Sequence, residues 1–102
     1  MGSVEFYEIA AEDNASKAFD AARGKAVAAH GHLGYTGSLA EKDLYVAFDE
    51  PRRSEADAYA RADKLMDAND PRIDDKWGPA GALPITTSDG KDGWMFFGWA
   101  SY

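Results

Sequence analysis

Apolar positions along this chain recur with a period of two in some stretches and with a period of about 3.6 in others, and the two patterns alternate. Val4-Glu5-Phe6-Tyr7-Glu8-Ile9 is rich in β-branched and aromatic residues and predicts a first strand. Asp13 or Asn14 can then cap a helix running to about Ala29, because Ala15, Ala18, Phe19, Ala22, Ala26 and Ala29 recur at helical spacing. The stripe is nearly all alanine. Small side chains let a helix axis lie close to a sheet, and Phe19 is the one large anchor. Gly24 weakens this helix by roughly 1 kcal/mol relative to alanine without ending it.

Glycines at 31, 34 and 37 stop the helix, and Leu44-Tyr45-Val46-Ala47-Phe48 predicts the next strand. Leu44, Val46 and Phe48 are expected to face the helices and Tyr45 and Ala47 to face away. Residues 38–43 are expected to supply a short strand hairpinned to it. Ser54-Glu55-Ala56-Asp57 resembles a capping box with Asp in place of Glu, and it opens a second helix over about residues 53–68 that carries Ala58, Ala62 and Leu65. Residues 69–79 form a polar loop punctuated by prolines, with Ile73 and Trp77 expected to tack it to the body. Leu83-Pro84-Ile85-Thr86-Thr87 reads as a strand at a sheet edge, because Pro84 cannot donate to a ladder. After a turn at residues 88–93, a last strand closes a hairpin.

That last segment, Gly93-Trp94-Met95-Phe96-Phe97-Gly98-Trp99-Ala100-Ser101-Tyr102, is apolar on both of its faces. A period of two puts Trp94, Phe96, Gly98 and Ala100 on one side and Met95, Phe97, Trp99 and Ser101 on the other. Such a strand needs cover on both sides. The element order predicts a single α+β domain over residues 1–102: a two-layer sandwich with both helices on one face of a mainly antiparallel sheet, in the manner of ferredoxin-like folds. On that architecture one aromatic face is left over. Loops folding over it would make it ordinary core. A second copy or another protein would otherwise have to cover it, with Tyr45, Trp94, Phe97 and Trp99 as the anchors.

Composition narrows the functional classes. With 102 residues there is room for one modest core, and 45% apolar with 28% charged residues marks a folded chain. No cysteine is present, so disulfides, thiolate metal sites and a cysteine nucleophile are excluded. Neither a secretion signal nor a membrane span is indicated, and a cytoplasmic location is expected. Eighteen acidic residues against 11 basic ones give a formal net charge of -7, which disfavours direct binding to nucleic acid.

Candidate chemistry is thin. The glycine-rich residues 31–38 follow a helix and lead into a strand, whereas phosphate and dinucleotide loops open a helix. A small-molecule site or an enzyme centre on this loop would use His32, Tyr35, Thr36, Ser38 and Glu41, with Asp43 beside them. His30 and His32 are two possible ligands and do not make a metal site. The acidic groups at Asp67, Asp70, Asp74 and Asp75, and at Asp89 and Asp92, lack calcium-loop spacing. No elbow motif frames a serine nucleophile. No cofactor is expected.

The strings Gly34-Tyr35-Thr36-Gly37-Ser38-Leu39-Ala40-Glu41-Lys42-Asp43, Asp74-Asp75-Lys76-Trp77-Gly78-Pro79-Ala80-Gly81 and Phe96-Phe97-Gly98-Trp99-Ala100-Ser101 resemble segments of small uncharacterised proteins of bacteriophages and actinobacteria. The resemblance implies a setting and no catalytic residue. It points to a phage-type accessory protein that binds a host or phage macromolecule or associates with itself. The alternatives from other classes are a ligand binder or enzyme on the 31–38 loop, and an acidic decoy of nucleic acid.

Overall fold

The computed structural model describes residues 2–31 and 36–102. Strand β1 (Ser3–Ala10) leads to helix α1 (Ala15–His30), a single 3-10 turn (Leu39–Glu41), and two short strands, β2 (Tyr45–Ala47) and β3 (Arg53–Ser54). Helix α2 (Glu55–Asp67) then precedes the long pair β4 (Ala80–Thr86) and β5 (Asp92–Ser101). Asn14 caps α1 by accepting from the Lys17 N–H at 3.0 Å, and Ser54 caps α2 by accepting from the Asp57 N–H at 3.1 Å. Among the described residues no helix is long and apolar enough to cross a membrane.

The sheet is mixed, with strand order β1-β5-β4-β2 and β3 also paired to β4. β5 runs antiparallel to both β1 and β4, whereas β2 and β3 run parallel to β4. The α+β class expected from the sequence holds, but the helices do not share a face. The chain crosses through α1 from one edge strand to the other and returns through α2 to the neighbouring inner strand. Right-handed crossovers taken in opposite directions put their helices on opposite sides of a sheet.

Side-chain partition shows this directly. Phe6, Ala80, Ala82, Phe96 and Ala100 pack with the α1 stripe of Ala18, Phe19, Ala22 and Ala26. Leu83, Ile85, Met95 and Phe97 pack with Ala58, Ala62, Leu65 and Met66 of α2. The alanine stripes let each helix sit close, and the large rings come from the sheet. Phe19 meets Phe96 at 5.4 Å between ring centroids, while Phe48 meets Phe97 at 5.8 Å on the other side. Met95, Phe96 and Phe97 are all completely buried within one copy of the chain. The expectation of an uncovered aromatic face is therefore corrected: one helix lies on each side.

Three local expectations also change. Residues 39–41 form the 3-10 turn in place of a hairpin strand. In the outer strand Tyr45 faces α1 and Val46 faces α2, while Leu44 is exposed. β4 is an inner strand despite Pro84. The Ala80 N–H donates to Leu44 O, and Ala82 O accepts from the Phe48 N–H, so the even positions of β4 serve the outer strand. By alternation the missing N–H of Pro84 falls on that side too, between the stretch paired with β2 and the stretch paired with β3. Gly81 lies under the Phe97 ring, where a Cβ would come within 2.5 Å of the Phe97 Cζ.

The interruption between β2 and β3 is held by charge. Glu50 accepts from Arg53 at 2.7 Å and from Arg61 of α2 at 2.8 Å, and the Arg72 guanidinium lies 4.0 Å from the Phe48 ring centroid. Arg61, and then Arg53, outweigh the effect of burial and bring the Glu50 carboxyl down to about 2. At the opposite edge of the sheet, β1 carries Glu5 and Glu8, and the Ile9 carbonyl accepts from Lys25 Nζ at 3.0 Å. The Tyr7 hydroxyl donates to Asp63 and ties β1 to α2.

Two outcomes follow from this packing. Phe97→Ala should cost about 3–5 kcal/mol in denaturant unfolding, the loss of a buried ring with its cavity. Because the folded carboxyl of Glu50 titrates below its ordinary value of 4.5, its contribution is complete above that pH and is lost on acidification toward about 2. Glu50→Gln should flatten that part of the stability-versus-pH curve measured by thermal unfolding.

Candidate functional site

The polar residues of the 36–43 stretch converge with residues 74–79 and the end of β5 at one corner of the sheet. The register Gly81↔Phe97 leaves Ser101 beyond the start of β4, so its backbone groups have no partner strand on that side. Glu41 and Gly37 take the place of one. Glu41 Oε1 accepts from the Ser101 N–H at 2.9 Å and from its hydroxyl at 2.7 Å, and the Gly37 N–H donates to Ser101 O at 2.8 Å. Glu41 Oε2 accepts from the Gly37 N–H at 2.7 Å and the Thr36 hydroxyl at 3.0 Å. Burial alone would push this carboxyl up, but the donors from Ser101, Gly37 and Thr36 outweigh it and hold it below its ordinary value.

The next residue solves the matching problem for carbonyls. Lys42 is 2% exposed, and its Nζ donates to Lys76 O at 2.8 Å and Gly78 O at 2.9 Å. Desolvation lowers its pKa against the pull of Glu41 and Asp75. The two carbonyls flank Trp77, so the buried ammonium fixes the turn on which that residue stands. Asp75 completes the turn, its Oδ1 accepting from the Trp77 N–H and its carbonyl from the Gly78 N–H, each at 2.9 Å. Trp77 is 58% exposed on this turn, whereas Ile73, at 1%, is the residue of the loop that enters the core.

An open depression of about 520 Å³ lies between Trp77 and the half-buried Trp99, bounded by Asp74, Asp75, Lys76 and Gly2. On the other flank of Trp77 a smaller one of about 170 Å³ is lined by Leu44, Asp43 and Pro79. Lys76 Nζ stands 5.6 Å from the Trp77 ring centroid.

The residues singled out from the sequence fall in several places. Tyr45 and Trp94 pack on the α1 side and Phe97 and Trp99 on the α2 side, so these four do not form one surface. Trp94 donates its indole N–H to Asp13 O at 2.9 Å, and Phe97 is wholly interior. Thr36, Ser38 and Glu41 do come together, with 2.8 Å between the two hydroxyl oxygens, but they bond to one another and to the chain. Both Glu41 oxygens already accept two hydrogen bonds. His32 and Tyr35 lie outside the described residues. Among the described residues no group of three or more His, Cys, Asp or Glu side chains is placed to hold a metal ion. Lys42 is the residue sequence reasoning missed, and Trp77 was read only as a tack for its loop. The charged, breaker-rich setting Asp-Asp-Lys-Trp-Gly-Pro was the available sign that Trp77 stands on an exposed turn.

No protein-family model matches this chain, and no curated protein or solved structure matches it either.

Glu41→Gln replaces one acceptor oxygen with an amide that faces donors. It should destabilise the fold by about 2 kcal/mol, as for a part-buried charge-assisted acceptor. Lys42→Met keeps the shape but leaves the carbonyls of Lys76 and Gly78 without their donor, with a similar expected cost. Chemical denaturation monitored by tryptophan fluorescence measures both.

Proposed function

We propose that this protein is a small non-enzymatic interaction domain that docks a protein partner through the corner around Trp77. The observation that carries this is where apolar surface is left. Among the described residues the exposed large apolar side chains are Val4, Leu44, Tyr59, Trp77 and Tyr102, and all but Tyr59 surround this corner. Gly37 lies between Val4 and Tyr102, Gly2 packs under the Tyr102 ring and borders the depression with Trp77 and Trp99, and Leu44 lines the opposite flank. Contiguous apolar surface with a polar rim is characteristic of protein-binding sites, and tryptophan and tyrosine supply much of the energy in them.

Two further points support it. The turn bearing Trp77 is held by a buried lysine and an adjacent carboxylate, so the ring is offered on a rigid support, which lowers the entropic cost of binding. The three segments that resemble phage and actinobacterial proteins all meet here, joined by the Glu41–Ser101 and Lys42–Lys76 hydrogen bonds. An accessory role in binding a host or phage protein fits a domain of this kind, with the surface at a corner of the sheet instead of on its face.

The test is the pair Leu44→Ser with Trp77→Ala. Both side chains are exposed, so thermal unfolding should be little changed. Affinity capture from the native host should recover a protein with the wild-type domain and lose it with the double variant. Recovery of the same proteins by both would remove the corner from consideration, and a wild-type dimer that the variant converts to monomer in light scattering would make the partner a second copy.

A further inference from the structure

The depression between Trp77 and Trp99 has a chemical character beyond being apolar. We propose that it accepts the cationic side chain of an arginine or lysine from a basic segment of the partner protein, and that Lys76 occupies part of it in the free domain. This rests on the interaction-domain reading above and deepens it to a class of ligand.

Indole rings attract cations through the negative potential over their faces, and two of them border this space. Asp74 and Asp75 stand on the same rim and enter none of the ion pairs formed among the described residues. Asp75 Oδ1 accepts from a backbone N–H, and its charge acts on the buried Lys42 ammonium from outside ion-pair distance.

One cation is already present. Lys76 Nζ lies 5.6 Å from the Trp77 ring centroid, and its hydrogen bond among the described residues is a long one, 3.4 Å to Gly2 O. The ammonium stands near the Trp77 ring on the rim that also carries Asp74 and Asp75. With Lys76 in place the rim groups Asp74, Asp75 and Lys76 sum to one negative charge, and with its side chain swung into solvent they present two. A guanidinium that displaces it gains the planar stacking and bidentate carboxylate geometry that an ammonium lacks. The formal net charge of -7 steers a basic segment toward the domain from outside. A volume of about 520 Å³ holds a long side chain with its flanking backbone.

The experiment uses a fluorescently labelled peptide of alternating arginine and serine, and the same peptide with citrulline for arginine, titrated against the intact domain by anisotropy. The arginine peptide should bind and the neutral isostere should bind about tenfold more weakly. Asp74→Asn with Asp75→Asn should weaken the arginine peptide about fivefold, an effect that shrinks with added salt. An amide oxygen at position 75 still accepts from the Trp77 N–H, so the turn is kept. Lys76→Gln should tighten binding about threefold, because it removes the competing cation while leaving the carbonyl that Lys42 holds. Equal binding of the two peptides, no binding of either, or weaker binding by Lys76→Gln would each overturn the proposal. If the peptides fail while capture of a partner still depends on Trp77 and Leu44, the docking corner stands and the cationic ligand falls. If the peptides behave as expected while capture is indifferent to those two residues, the cation site stands apart from the docking surface.

Discussion

Met95 and Phe97 stand on one side of β5 while Phe96 and Ala100 stand on the other, and none of the four leaves appreciable surface to water. A strand with no polar side has to be an inner strand of a sheet covered twice, and the placement of every other element answers that demand. β1 and β4 flank it, α1 lies over Phe96, and α2 lies over Phe97. A chain with two helices can meet the requirement only by placing one on each face. It does so by crossing the whole sheet in the first connection and stepping back by one strand in the second. The alanine stripes of both helices follow from the same demand, because bulky rings projecting from both sides of the sheet leave little room for bulk on the helices.

Two adjacent residues of opposite charge satisfy the main chain where β4 falls short of the end of β5. Glu41 accepts for backbone and hydroxyl donors, and Lys42 donates to carbonyls, so one dipeptide serves both polarities of unpaired main chain. Each charge is desolvated; Glu41 is kept ionised by its hydrogen-bond donors, and Lys42 by the charges of Glu41 and Asp75 while its ammonium donates to two carbonyls. The result is a rigid corner assembled from three distant stretches of sequence. Outward presentation of Trp77 is a product of this scaffold, because the two carbonyls that Lys42 grips lie on either side of that residue.

How much of this could be read from the sequence depended on whether the deciding interaction was local. Both helices, their caps at Asp13 or Asn14 and at Ser54, and the double-sided β5 were legible, since capping and periodicity act within a few residues. The side on which each helix packs was not, because handedness acts on strand order, and strand order is set by pairing partners far apart in the chain. Pro84 suggested an edge because the rule concerns a lost donor; the sheet evades it by interrupting the neighbouring strand at that point. Glu41 stood out as a candidate ligand on its residue type, yet its four donors come from Thr36, Gly37 and Ser101 and make it structural. Lys42 drew no notice, since a lysine within a polar stretch carries no mark of burial. Tyr45, Trp94, Phe97 and Trp99 were read as the anchors of one interface, but their alternation about the sheet divides them between two interiors.

The outer rim of β1 gives the molecule a further property. Eight residues of extended backbone end the sheet there, with no proline and no bulge, and the guards are Glu5, Glu8 and a lysine bonded to one carbonyl. Like charges facing each other across two such rims discourage edge-to-edge joining. A formal net charge of -7 adds repulsion between whole molecules to that local guard. Colloidal behaviour and sheet architecture are thereby linked in this chain: the acidic side chains that flank the open rim also belong to the charge that keeps copies apart.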